Sequence, residues 1–326
     1  MDEADRFNST LSELASTGGF RGAVRLESGG STLLDAAFGA DGAGTPLTTD
    51  TAFQLCSISK SFTAACVLRL VESERLSLDD SLASFTDLGP PAWHEITLHM
   101  LLTHTSGLAH WKDTGLDLHE PRPREELIAR FAATPPKFEP GKGWAYSSLG
   151  YVLLAHVVET ATREPYPSVL EREVLSPLGL RQTRAEEPAA HVAAAHGSRG
   201  GEPVPSFDLR VNIGTGDVWS TTGDLVRWPD ALASLAPSAF SRQAAVADEE
   251  DGLTDVGYGY GWFTASLDGK PIVFHPGDNA GFVSLLVRAP DRDLVLAMLA
   301  ADQIDLAALA LPAFRGLIQG KEAAGG

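Results

Sequence analysis

Cysteine, basic charge and long apolar runs are all scarce in this 326-residue chain. Lys and Arg number 25 against 43 Asp and Glu, giving a net charge of −18. A phosphate backbone needs a basic footprint, so a nucleic-acid partner is excluded. No apolar stretch approaches the roughly 20 residues of a membrane-crossing helix, so no membrane partner is expected. The start, Met1-Asp2-Glu3-Ala4-Asp5, lacks the basic and apolar regions of a secretory signal, which points to the cytoplasm. The two cysteines, Cys56 and Cys66, fall in one predicted helix, too far apart along its axis to form a disulfide. Cys56 reads as a small buried hydrophobe rather than a nucleophile. The G-x-S-x-G elbow of the α/β-hydrolases is missing, as are internal repeats. His94-Glu95-Ile96-Thr97-Leu98-His99 has one residue too many for a zinc-protease H-E-x-x-H. Its histidines do not share a helical face, so neither metal nor cofactor is expected.

What is present alternates between two periods. Ala4 to Ser16 repeats its apolar residues as a helix does, with Phe7, Leu11 and Leu14 on one face. Gly22–Leu26 and Thr32–Phe38 read as strands joined by Ser28-Gly29-Gly30. The middle is helical and broken by prolines: Leu98–Leu102 behind Thr97, then Glu125–Ala132, Gly150–Thr160 and Gly223–Leu235. Residues Arg181–Asn212 show no period and read as loop. Strands resume at Tyr258–Ala265, Ile272–His275, Phe282–Ala289 and Leu294–Leu299. A helix over Asp305–Ile318 and a frayed tail over Gly320–Gly326 close the chain. The expected fold class is therefore α+β: an antiparallel sheet built from both termini, flanked by terminal helices, with a mostly helical inserted lobe. All of 1–326 forms one domain, with a sheet lobe at about 1–56 and 250–320 and a helical lobe at about 57–249. A cleft is expected where the lobes meet.

Chemistry concentrates around Ser57-Ile58-Ser59-Lys60. Ser57 stands where an extended run meets a helix, and Lys60 three residues later shares its face. The following Phe62–Val71 run is apolar nearly all round, interrupted by Thr63 and Arg69, as in a buried helix. Burial lowers a lysine pKa, and a neutral amine can take the proton of a serine hydroxyl. Two further stretches stand out: Tyr146-Ser147-Ser148 just before an apolar helix, and His275-Pro276-Gly277-Asp278 at a strand end.

In this order the three stretches resemble the S-x-x-K, Y-x-N and K/H-x-G motifs of the serine penicillin-recognising family. That family comprises penicillin-binding proteins, class C β-lactamases and their esterase relatives. Thr51-Ala52-Phe53, Leu76-Ser77-Leu78-Asp79-Asp80, Leu101-Leu102-Thr103-His104-Thr105-Ser106-Gly107-Leu108, Phe138-Glu139-Pro140-Gly141 and Tyr258-Gly259-Tyr260-Gly261-Trp262 carry the likeness along most of the chain. The resemblance implies Ser57 as acylated nucleophile, Lys60 as proton acceptor and Tyr146 as the phenol that serves the leaving group, its pKa lowered beside a lysine ammonium. It implies an oxyanion hole from the Ser57 and Asp278 N–H groups, with Gly277 letting the substrate lie against the strand. Ser148 would stand beside the lysine and substrate, and His275 would orient a carboxylate or polarise the Tyr146 hydroxyl. His104 belongs to a helix-ending turn.

Three departures separate this chain from the family pattern. Ser148 replaces the usual Asn, Pro276 fills the middle of the third motif, and Asp278 follows Gly277. All three disfavour a β-lactamase and none obstructs ester hydrolysis. The expected activity is a serine carboxylesterase on short-chain or specialised small-molecule esters. The alternatives are an amide-directed relative (β-lactamase, D-amino-acid peptidase or acyltransferase) or a non-catalytic binding protein on the same scaffold.

Overall fold

The structure, a computed structural model, describes residues 2–246 and 252–319. Within them both termini contribute to one antiparallel sheet. Helix α1 (Glu3–Ser16) leads into the hairpin β1 (Gly22–Ser28) and β2 (Ser31–Phe38). The chain then leaves the sheet through α2 (Ser59–Glu72), α3 (Leu98–Leu102), α4 (Arg124–Ala133), α5 (Ser148–Thr162) and α6 (Thr222–Leu235). It returns as β3 (Ala244–Ala245), β4 (Leu253–Tyr258), β5 (Phe263–Leu267), β6 (Lys270–Asn279), β7 (Phe282–Ala289) and β8 (Leu294–Ala300). Helix α7 (Leu306–Gln319) follows. The order across the sheet is β2-β1-β8-β7-β6-β5-β4-β3, with every neighbour antiparallel. Among the described residues no helix is long and apolar enough to cross a membrane.

The sheet is buried on both faces at its centre, which explains the unbroken apolar run of β8. Val295, Ala297 and Leu299 join the core shared with the helical lobe, while Leu294, Leu296, Met298 and Ala300 join the core under α1 and α7. The central helix α2 is buried from Ser59 to Leu68. Phe62 stacks on Trp228 of α6 at 4.0 Å, and the Trp228 indole donates to Ser61 Oγ at 2.8 Å. Helix α3 begins where Thr97 caps the Met100 N–H, and α5 where the Ser147 hydroxyl accepts from Gly150 N–H.

Two strands differ from the sequence reading. The run Tyr258–Ala265 is not one strand: β4 ends at Tyr258 and β5 starts at Phe263. The intervening Gly259-Tyr260-Gly261-Trp262 turns toward α2, and Gly261 adopts φ +80°. A side chain at Gly261 would meet Ser61 Cα at 2.7 Å, so hugging the central helix wins over strand propensity. The run Ile272–His275 is the middle of a longer strand, β6, that reaches Asn279. Proline is tolerated there because β5 stops opposite Phe274, leaving Pro276 on an open edge. The Arg181–Asn212 segment is mostly irregular, as expected, with only two-residue strands within it. The tail expected over 320–326 lies outside the described residues.

Gly261→Ala is expected to lower stability by about 2–4 kcal/mol, from left-handed strain plus overlap with the helix backbone. Urea unfolding of the two proteins measures it, and an unchanged midpoint would show that the turn can move off α2.

Candidate active site

The first 3-10 turn of the central segment, Cys56–Ile58, sets the serine. Cys56 takes φ +51°, which bends the chain out of the short strand Phe53–Gln54 and into α2. Its thiol turns inward to the Gln54 and Phe282 carbonyls, and burial pushes its pKa well up, so it is no rival nucleophile. Ser57 is half-buried at the floor of a cavity of about 420 Å³. That cavity is also walled by Tyr146, Ser148, His275, Gly277 and Asp278. Lys60 lies beneath it, fully buried, with Nζ 3.0 Å from Ser57 Oγ and donating to the Thr215 carbonyl at 3.0 Å.

Burial dominates the electrostatics. It pushes Lys60 well below the ordinary lysine value, against the opposing pull of Cys56 and Asp217. Burial also raises the Tyr146 phenol, although a hydrogen bond with Ser57 offsets part of that rise. The expectation of a lowered phenol beside an ammonium is therefore corrected: in a dry site, amine and phenol both favour their neutral forms. The Tyr146 ring lies 4.9 Å from Lys60 Nζ and is held by His104 at 4.4 Å and Phe263 at 6.2 Å. His104 ends α3 in the left-handed conformation, φ +61°, and its Nδ1 accepts from Ser147 N–H at 3.2 Å. The helix-ending histidine thus also fixes the segment that carries Tyr146.

His275 is used differently from the expectation. Its Nδ1 donates to the Pro276 carbonyl at 2.6 Å, so Nε2 is left to accept from the Tyr258 hydroxyl at 3.1 Å. Burial, then the Lys60 charge, pushes it down to about 3. Both ring nitrogens are engaged and the ring is neutral, so His275 braces β6 rather than holding a substrate carboxylate or the Tyr146 hydroxyl. Gly277 also has another reason for being glycine. A Cβ there would meet the Leu55 carbonyl at 2.7 Å and Cys56 Cβ at 2.8 Å. Its bareness brings β6 against the serine turn. Asp278 is exposed and lines the same cavity.

Ser148 is buried on the first turn of α5, with Oγ 3.4 Å from His110 Nε2. His110 accepts a long hydrogen bond from Lys112 N–H through Nδ1, which makes Nε2 the donor to Ser148. Burial, then Lys60, pushes His110 down to about 4, so it is neutral near pH 7. Its ring stacks on Tyr146 at 5.9 Å. No motif marks His110, and the sequence reading missed it. Nor was Thr215 foreseeable, because its contribution is a backbone carbonyl. Behind it, Asp217 accepts from Gly214 N–H at 2.9 Å, while its second oxygen is buried without a hydrogen-bond partner among the described residues. Burial raises its pKa to about 8. Of the decoy pair, His99 is bonded to the Tyr260 hydroxyl at 2.9 Å.

Together these groups form a Ser–Lys–Tyr cluster on a buried helix, opposed by the open edge of β6. Comparison with known proteins agrees with that arrangement. The family model described as Beta-lactamase matches residues 7–314. The chain is 31% identical over 289 residues to penicillin-binding protein 4 of Amycolatopsis lactamdurans, covering 79% of this chain and 74% of that protein. It is 30% identical over 278 residues to esterase EstB of Burkholderia gladioli, covering 69% of each. The structure of the octameric penicillin-binding protein homologue from Pyrococcus abyssi superimposes with a TM-score of 0.82. That match has 23% identity and covers 96% of this chain and 77% of the other.

Asp217 makes a pH prediction. The folded chain keeps a proton on this carboxyl up to about pH 8, whereas the unfolded chain loses it near pH 4. Its stabilising contribution is therefore full below about pH 4 and is lost as pH rises toward 8. Asp217→Asn keeps the acceptor for Gly214 and cannot ionise, so its melting temperature should gain on the wild type between pH 5 and 8. A difference that stays constant across that range would mean Asp217 does not titrate there.

Proposed function

Because the chain belongs to the β-lactamase family and is a serine hydrolase of that fold, we propose that it is a carboxylesterase acting through an acyl-enzyme at Ser57. The observation that carries this reading is the buried amine, pushed toward neutrality, 3.0 Å from Ser57 Oγ. Lys60 accepts the Ser57 proton as the oxygen bonds to the ester carbonyl carbon. Tyr146, still a phenol, gives its proton to the departing alkoxide and regains one from the Lys60 side. Water then repeats the sequence to release the acid.

The oxyanion needs donors already in place. Pro276 has no N–H, and residues two apart in a strand face the same way. Asp278 N–H therefore points with Pro276 to the edge that β5 leaves open, across from the Ser57 turn. Asp278, exposed on the same strand, and Asp305, whose carboxylate accepts from the Ala308 N–H at the start of α7, both line the cavity and add negative charge to it. That disfavours a terminal carboxylate, which peptide and β-lactam substrates carry. Ser148 bonds His110 instead of presenting an amide to an acylamide group. Both features favour esters. The same two carboxylates motivate a second reading, an amide substrate bearing an ammonium group.

Steady-state nitrophenol release from nitrophenyl acetate should vanish in Ser57→Ala and in Lys60→Arg, whose guanidinium cannot act as a base. Tyr146→Phe should lose roughly 10²–10⁴-fold in kcat. The pH profile of kcat/KM should rise through the lowered Lys60 pKa, since the ammonium form cannot accept the proton. It should not fall again below pH 9, since Tyr146 stays protonated. Activity surviving in Ser57→Ala would end the acyl-enzyme reading. Faster turnover of D-amino-acid amides than of esters would favour the second one.

A further inference from the structure

A second cavity, of about 340 Å³, lies between the sheet and α7. Its sheet wall is made by Ile272 and Phe274 of β6 and Val287 of β7, and its helix wall by Ala310, Leu311 and Phe314. Among the described residues of its lining, the one side-chain hydrogen-bonding group is the indole N–H of Trp144, which has no partner among them. So apolar a space offers a water molecule too few polar partners and favours an apolar occupant. Its volume is within the range of about 300–1,000 Å³ typical of small-ligand sites. Protein interiors rarely leave such a space unfilled. Helix α7 contains Pro312, which removes one internal helix hydrogen bond beside the chamber.

The chamber is not isolated. Phe263, Pro276, Leu285 and Ala307 line both it and the Ser57 cavity. Phe263 is the decisive one: it stands at the start of β5, and one ring lies nearly parallel to Tyr146, 10° between planes. Tyr146 is the group placed to protonate the leaving oxygen. A substituent on that oxygen therefore departs past Phe263 and Pro276, where β5 has ended and the edge of β6 is open.

We propose that this chamber binds the hydrocarbon chain of the ester's alcohol portion, so that the preferred substrates are esters of longer apolar alcohols. This inference rests on the esterase reading for its chemistry, but the chamber itself can be tested without it. Length enters on the leaving-group side, and the acyl portion remains short. Each methylene moved from water into the chamber is worth roughly three- to fourfold in kcat/KM until the space is full.

The test uses acetates of ethanol, n-butanol, n-hexanol and n-octanol, followed by pH-stat. These primary alcohols have nearly equal leaving tendencies, so only chain length varies. The wild type should gain steeply from ethyl to hexyl acetate. In Ala310→Phe, which fills the chamber from α7, the hexyl-to-ethyl ratio should fall at least tenfold. Leu311→Phe, at a less buried position on the same helix, makes the same test should Ala310→Phe fail to fold. A parallel calorimetric titration of n-octanol reads the chamber whether or not esters are turned over. Binding to the wild type that the plugged variant loses supports the chamber, even if no ester is hydrolysed and the esterase reading falls. A flat response to alcohol length, a gain only along the acyl series, or no loss of n-octanol binding in the plugged variants would each overturn the proposal.

Discussion

Everything at the Ser57 cavity depends on keeping an amine out of water. A lysine ammonium is costly to bury, and the fold meets that cost by weakening the hold of Lys60 on its proton rather than by pairing it with a carboxylate. The groups around it fit that solution. Its acceptors are both neutral, the Ser57 hydroxyl and the Thr215 carbonyl, and the nearby carboxyl, Asp217, is itself pushed toward its protonated form. His104, His110 and His275 are each lowered by burial, with Lys60 adding to the shift. Three histidines share this region because burial keeps each of them neutral near pH 7, and the same burial pushes the Lys60 amine well below the ordinary lysine value.

The second requirement is close approach, and it is met by glycines placed between layers rather than by flexible loops. At Gly277 the strand β6 comes within contact of Leu55 and Cys56, and at Gly261 the β4–β5 turn rests on the backbone of α2. The serine turn is thus clamped between two parts of the C-terminal sheet, although Ser57 is more than 200 residues away in the chain. Rigid positioning of this kind is what lets a hydroxyl, an amine and backbone donors meet one carbonyl group.

Most of this was legible in the residues, and the misses have physical causes. Helix limits such as Leu98–Leu102 follow from a cap and an apolar stripe, both local. The double-sided burial of β8 shows as seven apolar residues in a row. All the expected site residues line one cavity or lie directly beneath it, because ordered motifs on a known scaffold carry three-dimensional information that spacing alone does not. What escaped was non-local. The break at Gly259–Trp262 is decided by a helix nearly two hundred residues earlier, and strand propensity cannot register it. The role expected for His275 failed because the neighbouring Pro276 carbonyl and distant Tyr258 take both ring nitrogens. The phenol shift had the wrong sign because the sequence shows a lysine beside it and does not show how dry the site is.

The Ser148 position shows how such a site tolerates change. An amide offers a donor and an acceptor together at the end of a longer side chain, and serine alone cannot replace that reach. Here the pair of Ser148 and His110 presents a hydroxyl backed by a ring N–H at the same wall of the cavity. That ring also stacks on Tyr146, so the polar wall and the phenol are oriented by one neutral histidine. Lys60 finds an acceptor elsewhere, in the Thr215 carbonyl. This wall has no amide with which to meet an acylamide group. The departure from the family pattern therefore leaves the Ser57 hydroxyl and the Lys60 amine 3.0 Å apart.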